Sequence, residues 1–216
     1  MTLNLILLKL TRGLLTSVNI FFLTLLFTFP FGLLVALVRM HKNPILNNIA
    51  RIYISIMRGT PLMLQLLIVY FGPYYVFGWS LKNYPPFLAV IIAFVLNYSA
   101  YFAEIYRGGI ASIPIGQYEA ATVLGYSKQQ TFFKIILPQV IKRIVPPITN
   151  EIITLVKDTS LAQVISVLEM FTIAKQIANA QASMLALVIA GVFYYVFNFL
   201  VAVVMEQIEK KLDYYR

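Results

Sequence analysis

The chain has 216 residues, 60% of them hydrophobic and 12% charged, with no cysteine and a single histidine, His41. A soluble domain carries about 25% charged residues, so this composition excludes one and describes a membrane-embedded protein. The missing cysteines exclude disulfides and thiolate metal sites, and one histidine leaves no basis for a metal centre.

At about 20 residues per span the length allows roughly five transmembrane helices with their loops, and no large soluble domain. Residues 1–216 therefore read as one all-α, polytopic transmembrane domain. The first span is expected at 14–38, with Pro30 and Gly32 as a tolerated kink. A signal peptide competes, given Lys9 and Arg12, but the apolar run is too long and lacks a small-residue cleavage site. Residues 39–51 form a turn, and the second span is expected from Ile52 to Phe77. Gly59 and Pro61 loosen its start and expose backbone groups, so Thr60 and Gln65 can face something polar. Arg58 snorkels to the near surface. Residues 78–85 make a short external turn, in which Trp79 and Tyr84 suit the interfacial aromatic belt.

The third span, Pro86 to Arg107, carries Asn97, Tyr101 and Glu104 at i, i+4, i+7, one helical stripe. Residues 108–138 lie between the third span and the fourth. Within them Pro114 suits a first helical turn, Gly125 a left-handed helix end, and Ser127 with Gln130 a capping box opening a second helix. Ala120 and Ala121 leave one face of the first helix nearly bare, so another surface can approach. Pro138 interrupts the helix at that point. A fourth span starts near Gln139, is broken at Pro146-Pro147, and continues to Lys157 with Glu151, Thr154 and Asp158 on one face. Residues 161–183 are mildly amphipathic and suit an interfacial or re-entrant helix; 184–205 form the last span, and Glu206 to Arg216 a charged tail.

The net charge of +9 invites a nucleic-acid reading, but its placement speaks for topology. Arg39, Lys42, Arg51 and Arg58 follow the first apolar run. Arg107, Lys128, Lys134, Lys142 and Arg143 flank 108–138, and Lys210, Lys211 and Arg216 end the chain. If these mark the cytoplasm, the N-terminus lies outside and the C-terminus inside, which requires an odd number of spans. Lys9 and Arg12 run against this bias.

The run Glu119-Ala120-Ala121, three residues, Gly125, nine residues, Ile135, Leu137, Pro138 resembles the coupling loop of bacterial ABC-importer permeases, signature EAA-x3-G-x9-I-x-LP. Arg58-Gly59-Thr60-Pro61-Leu62 and Lys157-Asp158-Thr159-Ser160-Leu161 resemble stretches of the polar amino-acid uptake branch. A helix-turn-helix shares the Ala121–Gly125 spacing, but a DNA-reading element has no place between long apolar spans. The resemblance implies a type I importer permease in the bacterial cytoplasmic (inner) membrane. Two such subunits, identical or homologous, would enclose one route, with a cytoplasmic ATPase dimer below and an extracytoplasmic binding protein above. Glu119, Ala120, Ala121 and Gly125 would carry the coupling. ATP would bind the partner, so this chain is expected to be no enzyme and to hold no cofactor; it has no G-x4-G-K-[ST] phosphate loop.

An ionised side chain at the bilayer centre costs at least ~2.5–3.5 kcal/mol and so faces a polar cavity. Glu104, Glu151 and Asp158 are the charged candidates for substrate contact, with Thr60, Gln65, Asn97, Tyr101 and Ser160 as neutral partners. A zwitterion needs donors for its carboxylate, which broken helices supply, and acceptors for its ammonium. The acidic excess points to a polar or basic amino acid such as arginine, lysine or histidine. The bland alternative pairs Glu151 or Asp158 with Lys157, Lys142 or Arg143. A permease for another small solute, a passive channel or a secondary transporter are the competing functions. A channel leaves the coupling signature without purpose, and a secondary transporter would show inverted repeats.

Overall fold

A computed structural model describes residues 2–212, which are helical with no strand among them. In chain order they form α1 (Leu3–Arg39), α2 (Pro44–Gly59), α3 (Leu62–Phe77), a 3₁₀ turn (Leu81–Asn83) and α4 (Pro86–Ala111). Then come α5 (Ile115–Val123), the single turn α6 (Lys128–Gln130), a π-helical turn (Thr131–Ile136) and α7 (Leu137–Asp158). A 3₁₀ segment (Thr159–Ile165), α8 (Met170–Gln181) and α9 (Leu185–Leu212) complete the fold.

Three helices, α1, α4 and α9, are long and apolar enough to cross a membrane. Two bent pairs, α2 with α3 and 128–165 with α8, bring the total to five when each pair is one span. The first span starts at Leu3 rather than at Leu14. With 37 residues α1 is about 55 Å long at 1.5 Å per residue, because its first turns have something to pack on. Ile6 and Leu10 are buried against Met170, Ala174 and Ile177, and a Cβ on Gly13 would come within 2.7 Å of the Met170 Cα. Further along, Gly32 faces Phe102 and Ser99 of α4, and Ala36 meets Ala100 and Ala103. Such small residues let helix backbones approach closely in lipid.

The expected single span at 52–77 is two helices meeting at 110°. Pro61 drives Thr60 into the extended region (φ −122°, ψ 148°), which ends α2. α2 begins earlier than expected, at Pro44, because the Asn43 side chain caps it by accepting from the Ile45 N–H at 2.9 Å. α3 closes on Gly78, left-handed at φ +69°, as that glycine permits.

The fourth span also departs from expectation. Pro138 does not interrupt the helix, and Pro146 and Pro147 lie inside an unbroken α7, both on its exposed side. The π turn ahead of Pro138 widens the spiral where the ring would strike the carbonyl four residues back. The Gln139 side chain then donates to the Ile135 carbonyl at 2.8 Å. The break comes at Thr159–Ile165, where the Thr159 and Ser160 hydroxyls donate to the Val156 and Lys157 carbonyls, both at 2.8 Å, and tighten the turn. Ser166, left-handed at φ +62°, ends it. α8 follows after a 57° bend, which makes 128–181 a broken span or a re-entrant loop, and it packs between α1 and α9. The tail residues 213–216 lie outside the described residues.

Packing fixes the directions. Ile144 of α7 meets Gly109 near the end of α4, while Asp158 meets Tyr98 further back, so α7 runs antiparallel to α4. α1, α4 and α9 run one way and the two bent spans return, which puts Leu3 and Leu212 at opposite ends of the bundle. α9 exposes Val188, Val192, Tyr195, Phe199, Leu200 and Val204, a face suited to lipid or to another apolar chain.

The second break is held by Glu169, which is fully buried (0% exposed). Its Oε1 accepts from the Thr172 N–H at 2.6 Å and the Thr172 hydroxyl at 2.8 Å. Its Oε2 accepts from the Phe171 N–H at 2.7 Å, the Tyr194 hydroxyl at 2.9 Å and the Ser17 hydroxyl at 3.4 Å. One carboxylate thus caps α8, sits in the favourable field of that helix N-terminus, and ties it to α1 and α9. Stranding a buried donor costs about 1–3 kcal/mol. Glu169→Ala is expected to lower the thermal unfolding midpoint of the detergent-solubilised chain strongly, and Glu169→Gln to lower it less.

Candidate functional site

The residues expected to contact substrate fall into two groups. Thr60, Gln65 and Asn97 form a knot at the α2–α3 break. Gln65 Nε2 donates to the Met57 carbonyl at 2.9 Å, the Thr60 carbonyl at 3.1 Å and the Thr60 hydroxyl at 2.7 Å. Asn97 Nδ2 donates to the Met57 carbonyl at 3.0 Å and to Gln65 Oε1 at 2.9 Å. Thr60 closes the knot by donating to the Ile56 carbonyl at 2.8 Å. Both amides are buried, and their donors are occupied by carbonyls that the broken helix leaves without partners.

The other five residues line a more open face. Tyr101 lies beneath Arg58, whose guanidinium sits 5.2 Å from the ring centroid, so Arg58 stacks on an aromatic face rather than snorkelling away. Glu104 accepts from Arg107 Nε at 2.8 Å, and its Oε1 also pairs with Arg107 Nη2. Asp158 Oδ2 accepts from the buried Tyr98 hydroxyl at 2.7 Å. Ser160 donates back to its own helix. Glu151 is half-buried; among the described residues no hydrogen bond or ion pair to it is present, and Arg58 lies near enough to act on it through space. Of the bland pairings, the one with Arg143 does not form, since Arg143 is engaged by Ser112, through Nη1 to the carbonyl and, at 3.0 Å, to the hydroxyl; Lys157 acts on Asp158 through space. Sequence reasoning missed Glu169, although a carboxylate opening an apolar helix is a readable cap, and it gave Tyr98 no role.

Residues 115–130 project from the bundle as a foot. Pro114 is the residue before α5 rather than inside its first turn. Gly125 takes the left-handed conformation at φ +79°. The Ser127–Gln130 capping box forms, with Ser127 N–H to Gln130 Oε1 at 2.9 Å and Gln130 N–H to Ser127 Oγ at 3.3 Å. The two alanines, however, differ in exposure. Ala121 is 1% exposed, packed within this chain, whereas Ala120 is exposed. Around Ala120 and Glu119 the foot presents Ile115, Val123 and Leu124, at 72%, 87% and 72% exposure. An exposed apolar patch of this kind suits a contact surface.

An all-helical bundle with three to five candidate spans, half-buried carboxylates and an exposed apolar foot is the architecture of a polytopic helical membrane protein. Residues 28–214 match the family of binding-protein-dependent transport system inner membrane components, and the chain belongs to that family: it is the permease subunit of an amino-acid ABC importer. It is 38% identical over 208 residues to the L-cystine transport system permease protein TcyB of Bacillus subtilis, covering 95% of this chain and 87% of that one. It is 37% identical over 202 residues to the nopaline transport system permease protein NocM of Agrobacterium fabrum, covering 90% and 83%. Its fold matches a chain in the crystal structure of an amino acid ABC transporter with histidines, with a TM-score of 0.86, 31% identity and 94% of each chain covered.

The knot has a testable consequence. Gln65→Leu and Asn97→Leu should each lower stability by about 1–3 kcal/mol, the cost of stranding buried polar partners. The double variant should lose less than the sum, because the two side chains share a bond. Thermal unfolding of the three variants in one detergent measures this, and strict additivity would refute the knot.

Proposed function

We propose that this permease moves polar, preferentially basic amino acids such as arginine, lysine or histidine along the face bearing Arg58, Tyr101, Glu151 and Asp158. The observation that carries the reading is Glu151, a half-buried carboxylate without a hydrogen-bond partner among the described residues. Such a group needs a cation, and a substrate ammonium supplies one. Arg58, held over Tyr101, offers a bidentate donor for the substrate carboxylate. Asp158 keeps one carboxylate oxygen beyond the Tyr98 bond. With Glu104 paired to Arg107 and Lys157 acting on Asp158, Glu151 beside Arg58 is the carboxylate left to meet a cationic side chain. Thr60, Gln65 and Asn97 support the face by holding the broken helix, and Ser160 shapes its far edge.

The foot would dock on a cytoplasmic ATPase dimer, which binds and hydrolyses the ATP; this chain does no covalent chemistry. A second permease subunit, identical or homologous, would complete the route, and an extracytoplasmic binding protein would deliver substrate. The cytoplasmic side would be the foot end, giving N-out and C-in in a bacterial inner membrane. Nucleotide-driven closure of the ATPase pair would switch the bundle between two states.

Glu151→Gln should reduce uptake of basic amino acids more than of neutral ones, by about tenfold for the loss of one ion-pair-like contact near 1.4 kcal/mol. An unchanged preference in a competition uptake assay would reject the substrate assignment. Coupling separates from it. Ala120→Leu should leave the chain folded while weakening ATPase association or uncoupling ATP turnover from uptake. Ala121→Leu, by contrast, should damage the foot itself, because that side chain faces inward. Full transport by the Ala120 variant would contradict the docking role.

A further inference from the structure

Behind the foot, between α5, the π turn and the first turns of α7, lies a cleft of about 800 Å³ bordered by Lys134, Lys142, Arg143, Gln117 and Gln139, with no carboxylate among its lining residues. Its depth is set by Arg143, which bonds Ser112, the residue directly after α4 ends. The cations therefore sit level with the ends of two spans, where lipid headgroups lie. That same bond fixes the guanidinium through Nη1 and leaves Nε and Nη2 to a ligand. Lys134 is exposed and has no protein partner among the described residues. Gln139 is pre-positioned by the Ile135 carbonyl at 2.8 Å and by Gln117 Oε1 at 3.2 Å. Lys142 also borders a neighbouring cleft with Glu206 and Glu209, so Lys134 and Arg143 are the residues that matter most. The cleft does not coincide with the side of α5 bearing Glu119, since residues two apart on a helix point about 160° from one another and Gln117 faces away.

We propose that this cleft binds a phosphoryl anion, supplied by the headgroup of an anionic lipid, and that the bound headgroup bridges the foot to the fourth span. A fixed guanidinium fork matches phosphate oxygens, a lysine adds a point charge, and the Gln117 amide, oriented by Gln139, supplies a neutral donor. The proposal is independent of which amino acid is carried.

The test uses the purified importer complex in nanodiscs of phosphatidylcholine containing increasing phosphatidylglycerol, with retained lipid counted by native mass spectrometry. Phosphatidylglycerol should be enriched around the complex. Lys134→Gln should cut that enrichment about five-fold, the factor that one cation contributes at a charged surface, and Lys134→Gln with Arg143→Gln further still. Arg143→Lys should retain more than Arg143→Gln, and Lys210→Gln, outside the cleft, should change nothing. Equal enrichment in wild type and the Lys134 variant would overturn the site. Displacement of the lipid by millimolar inorganic phosphate would assign the cleft to a soluble anion and overturn the lipid. Loss of the ATPase with lipid retention unchanged would assign the cations to an acidic protein surface and equally overturn it.

Discussion

Inside a bilayer no water is present to satisfy an exposed amide, so a broken span survives only if its freed backbone groups find partners within the protein. This chain breaks two of its spans, and the rest of the architecture depends on how each break is closed. At the first, Gln65 and Asn97 supply donors to the carbonyls of Met57 and Thr60. At the second, the exposed groups are N–H donors at the start of α8, and Glu169 accepts them. Amides close a helix C-terminus and a carboxylate closes an N-terminus, each matched in sign to the helix dipole. The closures also choose neighbours: Asn97 ties the first break to α4, and Ser17 and Tyr194 tie the second to α1 and α9.

Glu104, Glu151, Asp158 and Glu169 lie in the helical bundle, and their surroundings differ in a way that sorts their roles. Glu169 is saturated by five donors within the chain. Glu104 is paired with Arg107 one turn away. Asp158 holds one neutral donor, Tyr98. Glu151 holds none, yet is only half-exposed. A charge that is partly removed from water and unpaired is the expensive arrangement, and Glu151 keeps it beside an arginine stacked on Tyr101.

Legibility in the sequence tracks how local each feature is. The turn at Gly125 and the Ser127–Gln130 box are settled within four residues, so their chemistry is written in the sequence and the fold bears it out. The number of spans comes from apolar length. The places where helices end do not, because Pro146 and Pro147 can be absorbed on an exposed face while Thr159 and Ser160, far better helix residues by propensity, tighten the chain into the break. The direction of Ala121 depends on the packing of α5 against the π turn, and the hub at Glu169 on a partner more than a hundred residues away; spacing alone carries no such information. Gln65 and Asn97 do sit beside exposed backbone, as their polarity within apolar runs suggests, but their partner is the chain's own backbone.

The foot and the candidate substrate face are joined by continuous structure. Ala121 is buried, and Ile113, Ile136 and Val140 form a small core in which Tyr118 and Phe132 also pack, so α5 cannot shift without carrying the π turn and the base of α7. Above that core Ile144 seats on Gly109, where a Cβ would approach to 2.2 Å, which makes α4 the surface against which α7 bears. The same α7 then presents Glu151 and Asp158 with no further break between. An unbroken helix transmits a displacement along its axis far better than a hinged one, because its hydrogen-bond ladder resists compression in every turn. Prolines at 146 and 147 delete two rungs of that ladder on one side only, so the lever keeps its length while gaining a direction in which to bend.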